Sequence, residues 1–134
     1  MNTPKKPIKV VAGLEARKGI LDGAAIAAKA IGCTFGPKGG TVLLEKAFNN
    51  VAITSDGVTV SREVNLGKGL VNLGATMIKE ACLKVEQLAG DGTTTTAILA
   101  YGALEASTKL VASGYDPMQM SREMREAADV AESL

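Results

Sequence analysis

Residues 73–96, LGATMIKEACLKVEQLAGDGTTTT, carry one helical pattern into another across a glycine-bearing break. Over residues 70–88, Leu70, Leu73, Met77, Cys82, Val85 and Leu88 share one broad apolar face, with Lys79, Glu80 and Lys84 elsewhere. Gly90-Asp91-Gly92 interrupts this pattern. Residues 93–113 are then apolar nearly all round through Ala97-Ile98-Leu99-Ala100-Tyr101, which predicts a helix surrounded by protein.

Working outward, residues 14–31 place Leu14, Leu21, Ala24, Ala25, Ala28 and Ile31 at helical spacing. Gly19 and Gly23 weaken that helix by ~1 kcal/mol each relative to Ala. Downstream, Asp116-Pro117 reads as an N-cap and a first-turn proline. They open a helix with Met120, Met124, Ala127, Ala128 and Val130 inward. No Gly or Asn stop closes it before Leu134, so the chain is expected to be a piece of something longer. Between the first and second helices, CTFGPKGG at residues 33–40 is irregular. The β-rich runs 41–44 and 51–54, joined by EKAFNN, predict a hairpin. Ser55-Asp56-Gly57 reads as a turn. At the N-terminus, Thr3 to Pro7 is proline-broken, and Ile8 to Val11 is too short for a strand of its own. The predicted organisation is a frayed segment over 1–7 and one domain over 8–134. The predicted class is mainly α, a helical bundle with a small β-hairpin.

Composition narrows the function. The chain has 134 residues, 46% of them apolar and 22% charged, which excludes a disordered tail. Aromatic residues make up 3%, too few for base-stacking RNA modules. Fifteen Lys and Arg against 14 Asp and Glu leave a net charge of +1, so no nucleic-acid partner is expected. The absence of His removes His-based metal sites and Ser-His or Cys-His nucleophiles. Cys33 and Cys82 form no CxxC pair; both read as small buried hydrophobes in a reducing compartment. No run reaches the ~18 to 20 apolar residues of a membrane span, and no signal peptide is evident. The expected location is cytoplasmic, with no membrane partner.

Three loops carry candidate chemistry. In Thr34-Phe35-Gly36-Pro37-Lys38-Gly39-Gly40, glycines let backbone amides approach a phosphate, although a plain helix-to-hairpin connection also fits. No GK[ST] follows at Walker A spacing. Ser55-Asp56-Gly57 is either a strand-ending turn or a carboxylate placed near a phosphate-bound cation. Asp91 is either the N-cap of the helix that follows or a ligand for Mg²⁺. Four β-branched threonines are poor helix formers, and Thr93 to Thr96 suit a helix start that faces an anion.

Taken together, TFGPKGG at 34–40, TSDGVTVSREV at 54–64 and AGDGTTTT at 89–96 resemble the N-terminal part of a group I chaperonin of the GroEL type. VVAGLEARKGILDG at 10–23 is similar to that family's opening helix, and GYDPMQMSREMREAADVAESL at 114–134 to its closing one. The resemblance runs from Ile8 to Leu134. It implies half of an equatorial ATPase domain, with the intermediate and apical domains absent. It implies ATP and Mg²⁺ as cofactors. Thr34, Phe35, Gly36 and Pro37 would line the nucleotide. Ser55, Asp56 and Gly57 would lie near the terminal phosphates. Asp91 would bind the metal, and Gly92, Thr93, Thr94 and Thr95 would contact phosphate. Ser55 departs from the usual Lys, Phe35 from the usual Leu and Gly40 from a common Arg.

In that family the carboxylate that orients the attacking water lies downstream, so no catalytic residue is assigned and negligible turnover is expected of the isolated chain. The implied partners are other subunits of a homo-oligomeric ring, with unfolded clients reached only through the absent domains. The leading reading is an ATP-dependent protein-folding chaperonin segment. The alternative is a short interaction protein that docks on a chaperonin ring or self-assembles without hydrolysing ATP.

Overall fold

The computed structural model describes residues 10–46 and 50–133. Its elements run α1 (Gly13–Gly32), β1 (Val42–Lys46), β2 (Asn50–Thr54), α2 (Gly57–Glu63), α3 (Leu70–Ala89), α4 (Thr93–Ala112) and α5 (Pro117–Glu132). The class is mainly α with one hairpin, as the periodicity predicts. The frayed segment expected over 1–7, and Ile8, lie outside the described residues. Among the described residues, no helix is long and apolar enough to cross a membrane.

The core is built from small residues because two backbones meet there. Gly23 of α1 and Gly74 of α3 face the opposite helix at the crossing. A Cβ on Gly23 would stand 1.7 Å from the Val71 carbonyl oxygen, and one on Gly74 would stand 1.9 Å from that of Ile20. Around this crossing lie Ala24, Ala27 and Ile31 of α1, Ala75, Ile78 and Cys82 of α3, Val60 of α2 and Ala97 of α4. Gly23 therefore costs helix propensity and permits close packing.

The same crossing rotates the buried faces from those expected. On α3, Leu73, Met77 and Leu88 are exposed, and Gly74, Ala75, Ile78 and Cys82 point inward. A leucine on the inner line would hold α1 away. Leu14 is also exposed, whereas Ala24, Ala28 and Ile31 are buried as expected. Helix α4 buries only Thr93 and Ala97, and Leu99 is 67% exposed, so the surrounding protein expected of it is not supplied by the described residues. On α5, Asp116 caps the helix through the Met118 amide, with Pro117 in the first turn, as predicted. Only Met120 is buried there; Met124, Ala127, Ala128 and Val130 are exposed. Cys33 is likewise exposed rather than buried, because it caps the C-terminus of α1.

Strands β1 and β2 pair antiparallel, with Leu43 opposite Ile53 and Glu45 opposite Val51. Each is one residue longer than predicted, and residues 47–49 of the connection lie outside the described residues. Ser55-Asp56-Gly57 is more than a turn. Asp56 is the N-cap of α2, a helix that the β-branched run Val58-Thr59-Val60 conceals.

Candidate functional site

Three chain segments far apart in sequence meet at the head of α4. They enclose an open pocket of about 230 Å³. Thr34, Phe35 and Gly36 come from the α1–β1 connection, and Asp56, Gly57 and Val58 from the start of α2. Asp91 to Thr95 come from the α3–α4 junction. Pro37 and Ser55 do not line this pocket, although the sequence places them with it. Val58 does line it. Sequence reasoning missed it for want of the helix that turns it there.

The α3–α4 junction removes one of the two uses open to Asp91, that of N-cap. Gly90 and Gly92 both adopt the left-handed conformation, at φ 75° and 93°. Gly92 is the N-cap of α4, and no side chain caps that end. Asp91 accepts a bond of 2.6 Å from the adjacent Gly92 amide, which leaves the first-turn amides of α4 without it. Asp91 is therefore not the N-cap. Its carboxylate is exposed, and the head of α4 keeps both its free amides and its positive dipole end.

The hydroxyls around these amides are unevenly satisfied. Thr96 Oγ1 donates back to the Gly92 carbonyl at 2.9 Å. Thr34 Oγ1 donates to the Ile31 carbonyl at 2.7 Å and lies 3.3 Å from Thr94 Oγ1. Thr34 has one proton, so Thr94 is the donor between the two hydroxyls. Thr93 is buried, and its hydroxyl oxygen has no hydrogen-bond partner among the described residues. An unmet buried hydroxyl costs on the order of 1–3 kcal/mol, so a ligand oxygen that pairs with it recovers that cost. Gly57 fits closely behind this group: a Cβ there would come 2.3 Å from Thr94 Oγ1 and 3.0 Å from Thr34 Oγ1.

Asp56 has a different task. Its carboxylate accepts from the Val58 and Thr59 amides at 3.3 and 2.9 Å and from the Thr59 hydroxyl at 2.6 Å. Chiefly the Thr59 hydroxyl, against a smaller opposing effect of burial, holds its pKa below the ordinary carboxylate value. Asp56→Ala is expected to cost about 1 kcal/mol at pH 7, as lost caps do. A lowered folded-state pKa stabilises above the unfolded pKa, and that contribution fades as pH falls through the folded value. The gap between wild type and Asp56→Ala should therefore narrow between pH 5 and the acid limit, as urea unfolding across that range would show. A constant gap would mean that the cap does not depend on charge.

Among the described residues, no cluster of three His, Cys, Asp or Glu side chains could hold a metal alone. Asp91 suits a cation that takes most of its ligands from phosphate and water, as Mg²⁺ does. Free amides, an unpaired buried hydroxyl and one exposed carboxylate together fit a metal-bound phosphate ester. A larger groove of about 490 Å³ lies between α1 and α4, lined by Ala25, Lys29, Cys33, Ile98 and Tyr101 among others. It is mainly apolar and has no comparable convergence of amides and hydroxyls.

The helices, the hairpin and this junction define a partial equatorial domain of a chaperonin. A crystal structure of a group III chaperonin in the open state superposes with a TM-score of 0.77 at 25% identity, covering 87% of this chain and 23% of that one. The sequence profile of the TCP-1/cpn60 chaperonin family matches residues 27–134. The chain belongs to that family. It spans about a quarter of the length of the solved chaperonin it matches.

Proposed function

We propose that this chain supplies the ATP- and Mg²⁺-binding loops of an ATP-dependent protein-folding chaperonin of the group I type. The convergence of three separate loops on the uncapped head of α4 carries this reading. Amides of the first turn, that of Thr94 among them, and the hydroxyls of Thr93 and Thr95 donate to phosphate oxygens, while the Thr94 hydroxyl donates to Thr34. Asp91 holds the metal, and Thr34, Phe35 and Gly36 form the facing wall. The metal, when bound, would offset charge developing on the phosphates. Asp56 keeps the start of α2, and with it Gly57, in place behind the phosphates.

Other chaperonin subunits are the proposed partners. The exposed apolar side chains Leu43, Val51 and Ile53 on the hairpin and Leu99 on α4 support this. Clients would be gripped elsewhere in the assembly. Two free thiols suit a reducing cytoplasm. The same exposed side chains also favour the second reading, a short interaction protein that docks on such a ring without hydrolysing ATP.

Calorimetric titration of the chain with Mg-ATP, beside Asp91→Ala, tests the first reading. Saturable binding is expected, weakened at least tenfold by the substitution, or ~1.4 kcal/mol. Equal affinities would remove Asp91 from the metal site. A folded chain that binds no Mg-ATP would overturn the reading and leave the docking alternative.

A further inference from the structure

The head of α4 rests on α3 through a thiol. Cys82 is fully buried, and its Sγ–H donates to the Thr93 carbonyl at 3.3 Å. One turn on, Val85 lies beneath Gly92, where an added Cβ would meet its Cγ1 at 3.5 Å. Thr93 is the residue whose buried hydroxyl lacks a partner. The described contacts thus tie its carbonyl to α3 and leave its hydroxyl unpaired.

We propose that Cys82 is a positioning residue for this pocket: its thiol holds the Thr93 peptide so that the Thr93 hydroxyl stays available to the ligand. The inference rests on the Mg-ATP reading above. A carbonyl oxygen has two lone pairs; the helix ladder takes one, and the thiol takes the other. Burial raises the Cys82 pKa to about 11, so the sulfur is a protonated donor at neutral pH. Alanine at this position would remove the donor and leave a void under the first turn, where Thr93 could settle. Serine would keep a donor in nearly the same volume.

The test is Mg-ATP titration of the full chain as wild type, Cys82→Ala and Cys82→Ser, with thermal midpoints measured in parallel. Cys82→Ala should weaken binding about fivefold, the usual net worth of one hydrogen bond. Cys82→Ser should restore affinity to within about twofold, even where its midpoint is as low as that of the alanine variant. Wild-type affinity in Cys82→Ala, or equal losses in both variants, would overturn the proposal. Should Cys82→Ala not fold, infrared spectra of Cys33→Ser, which retains one thiol, decide the matter. The S–H stretch of Cys82 should shift when Mg-ATP binds, and an unmoved band would overturn the role. Binding in wild type with no effect at Cys82 defeats this inference alone, whereas no binding in wild type defeats the ATP reading and this inference with it.

Discussion

Gly23→Ala is expected to destabilise the chain by about 3 kcal/mol or more, at the upper end of what overpacking costs. Helix propensity alone predicts the opposite, since alanine favours a helix by ~1 kcal/mol over glycine. The structure decides the sign. The new Cβ would sit 1.7 Å from the Val71 carbonyl oxygen and 2.6 Å from its carbon, both backbone atoms with no rotamer to escape into. Helices α1 and α3 would have to part, opening the contacts of Ala24, Ala27, Ala75 and Ile78. That is a large share of the 5–15 kcal/mol that holds a domain folded. Urea unfolding of Gly23→Ala beside Gly102→Ala makes the comparison internal. Gly102 lies in α4 with nothing within 4 Å of its added Cβ, so its variant should gain up to about 1 kcal/mol. A stabilised Gly23→Ala would mean that the two helices do not cross as closely as described.

Gly57→Ala is expected to weaken Mg-ATP binding about a hundredfold, or ~2.7 kcal/mol, for the site proposed above. Its Cβ would press on Thr94 Oγ1 at 2.3 Å and Thr34 Oγ1 at 3.0 Å. Those hydroxyls lie on two walls of the pocket, and their contact of 3.3 Å sets the spacing between the walls. The colliding atoms belong to side chains, so the fold yields more readily than at Gly23. Alanine also suits the first turn of α2 better than glycine. Stability should therefore fall by no more than about 2 kcal/mol while affinity collapses. Calorimetric titration with thermal unfolding separates the two effects. An affinity that tracks the midpoint would show Gly57 to be merely structural, and an unchanged affinity would remove α2 from the site.

Much of this organisation is legible along the chain. Helices α1, α3, α4 and α5 begin and end within a residue or two of their predicted limits, because capping and glycine breaks are local signals. Asp116-Pro117 is the clearest case. Helix α2 was hidden because its first turn is rich in β-branched residues, and the Asp56 cap outweighs their preference only in context. The inner face of α3 departs from the apolar pattern for a different reason. Periodicity ranks residues by apolarity, which favours Leu73 and Met77. The crossing with α1 ranks them by size, which favours Gly74 and Ala75.

The residue types of the proposed phosphate-binding junction were set by the sequence alone: glycines that permit a left-handed break, an acid beside it, and threonines opening a helix. The motif order marks the chaperonin resemblance without any coordinates. What tertiary structure alone decided is how these parts are used. Asp91 and Asp56 are both acids flanking a glycine, yet one is freed by a glycine N-cap and the other is bound into a cap. Thr93 and Thr94 are neighbours of one type, yet one hydroxyl is buried without a partner among the described residues and the other touches Thr34 across the pocket. Those differences depend on which helix lies behind each residue. Packing between distant segments settles that, and local pattern does not encode it.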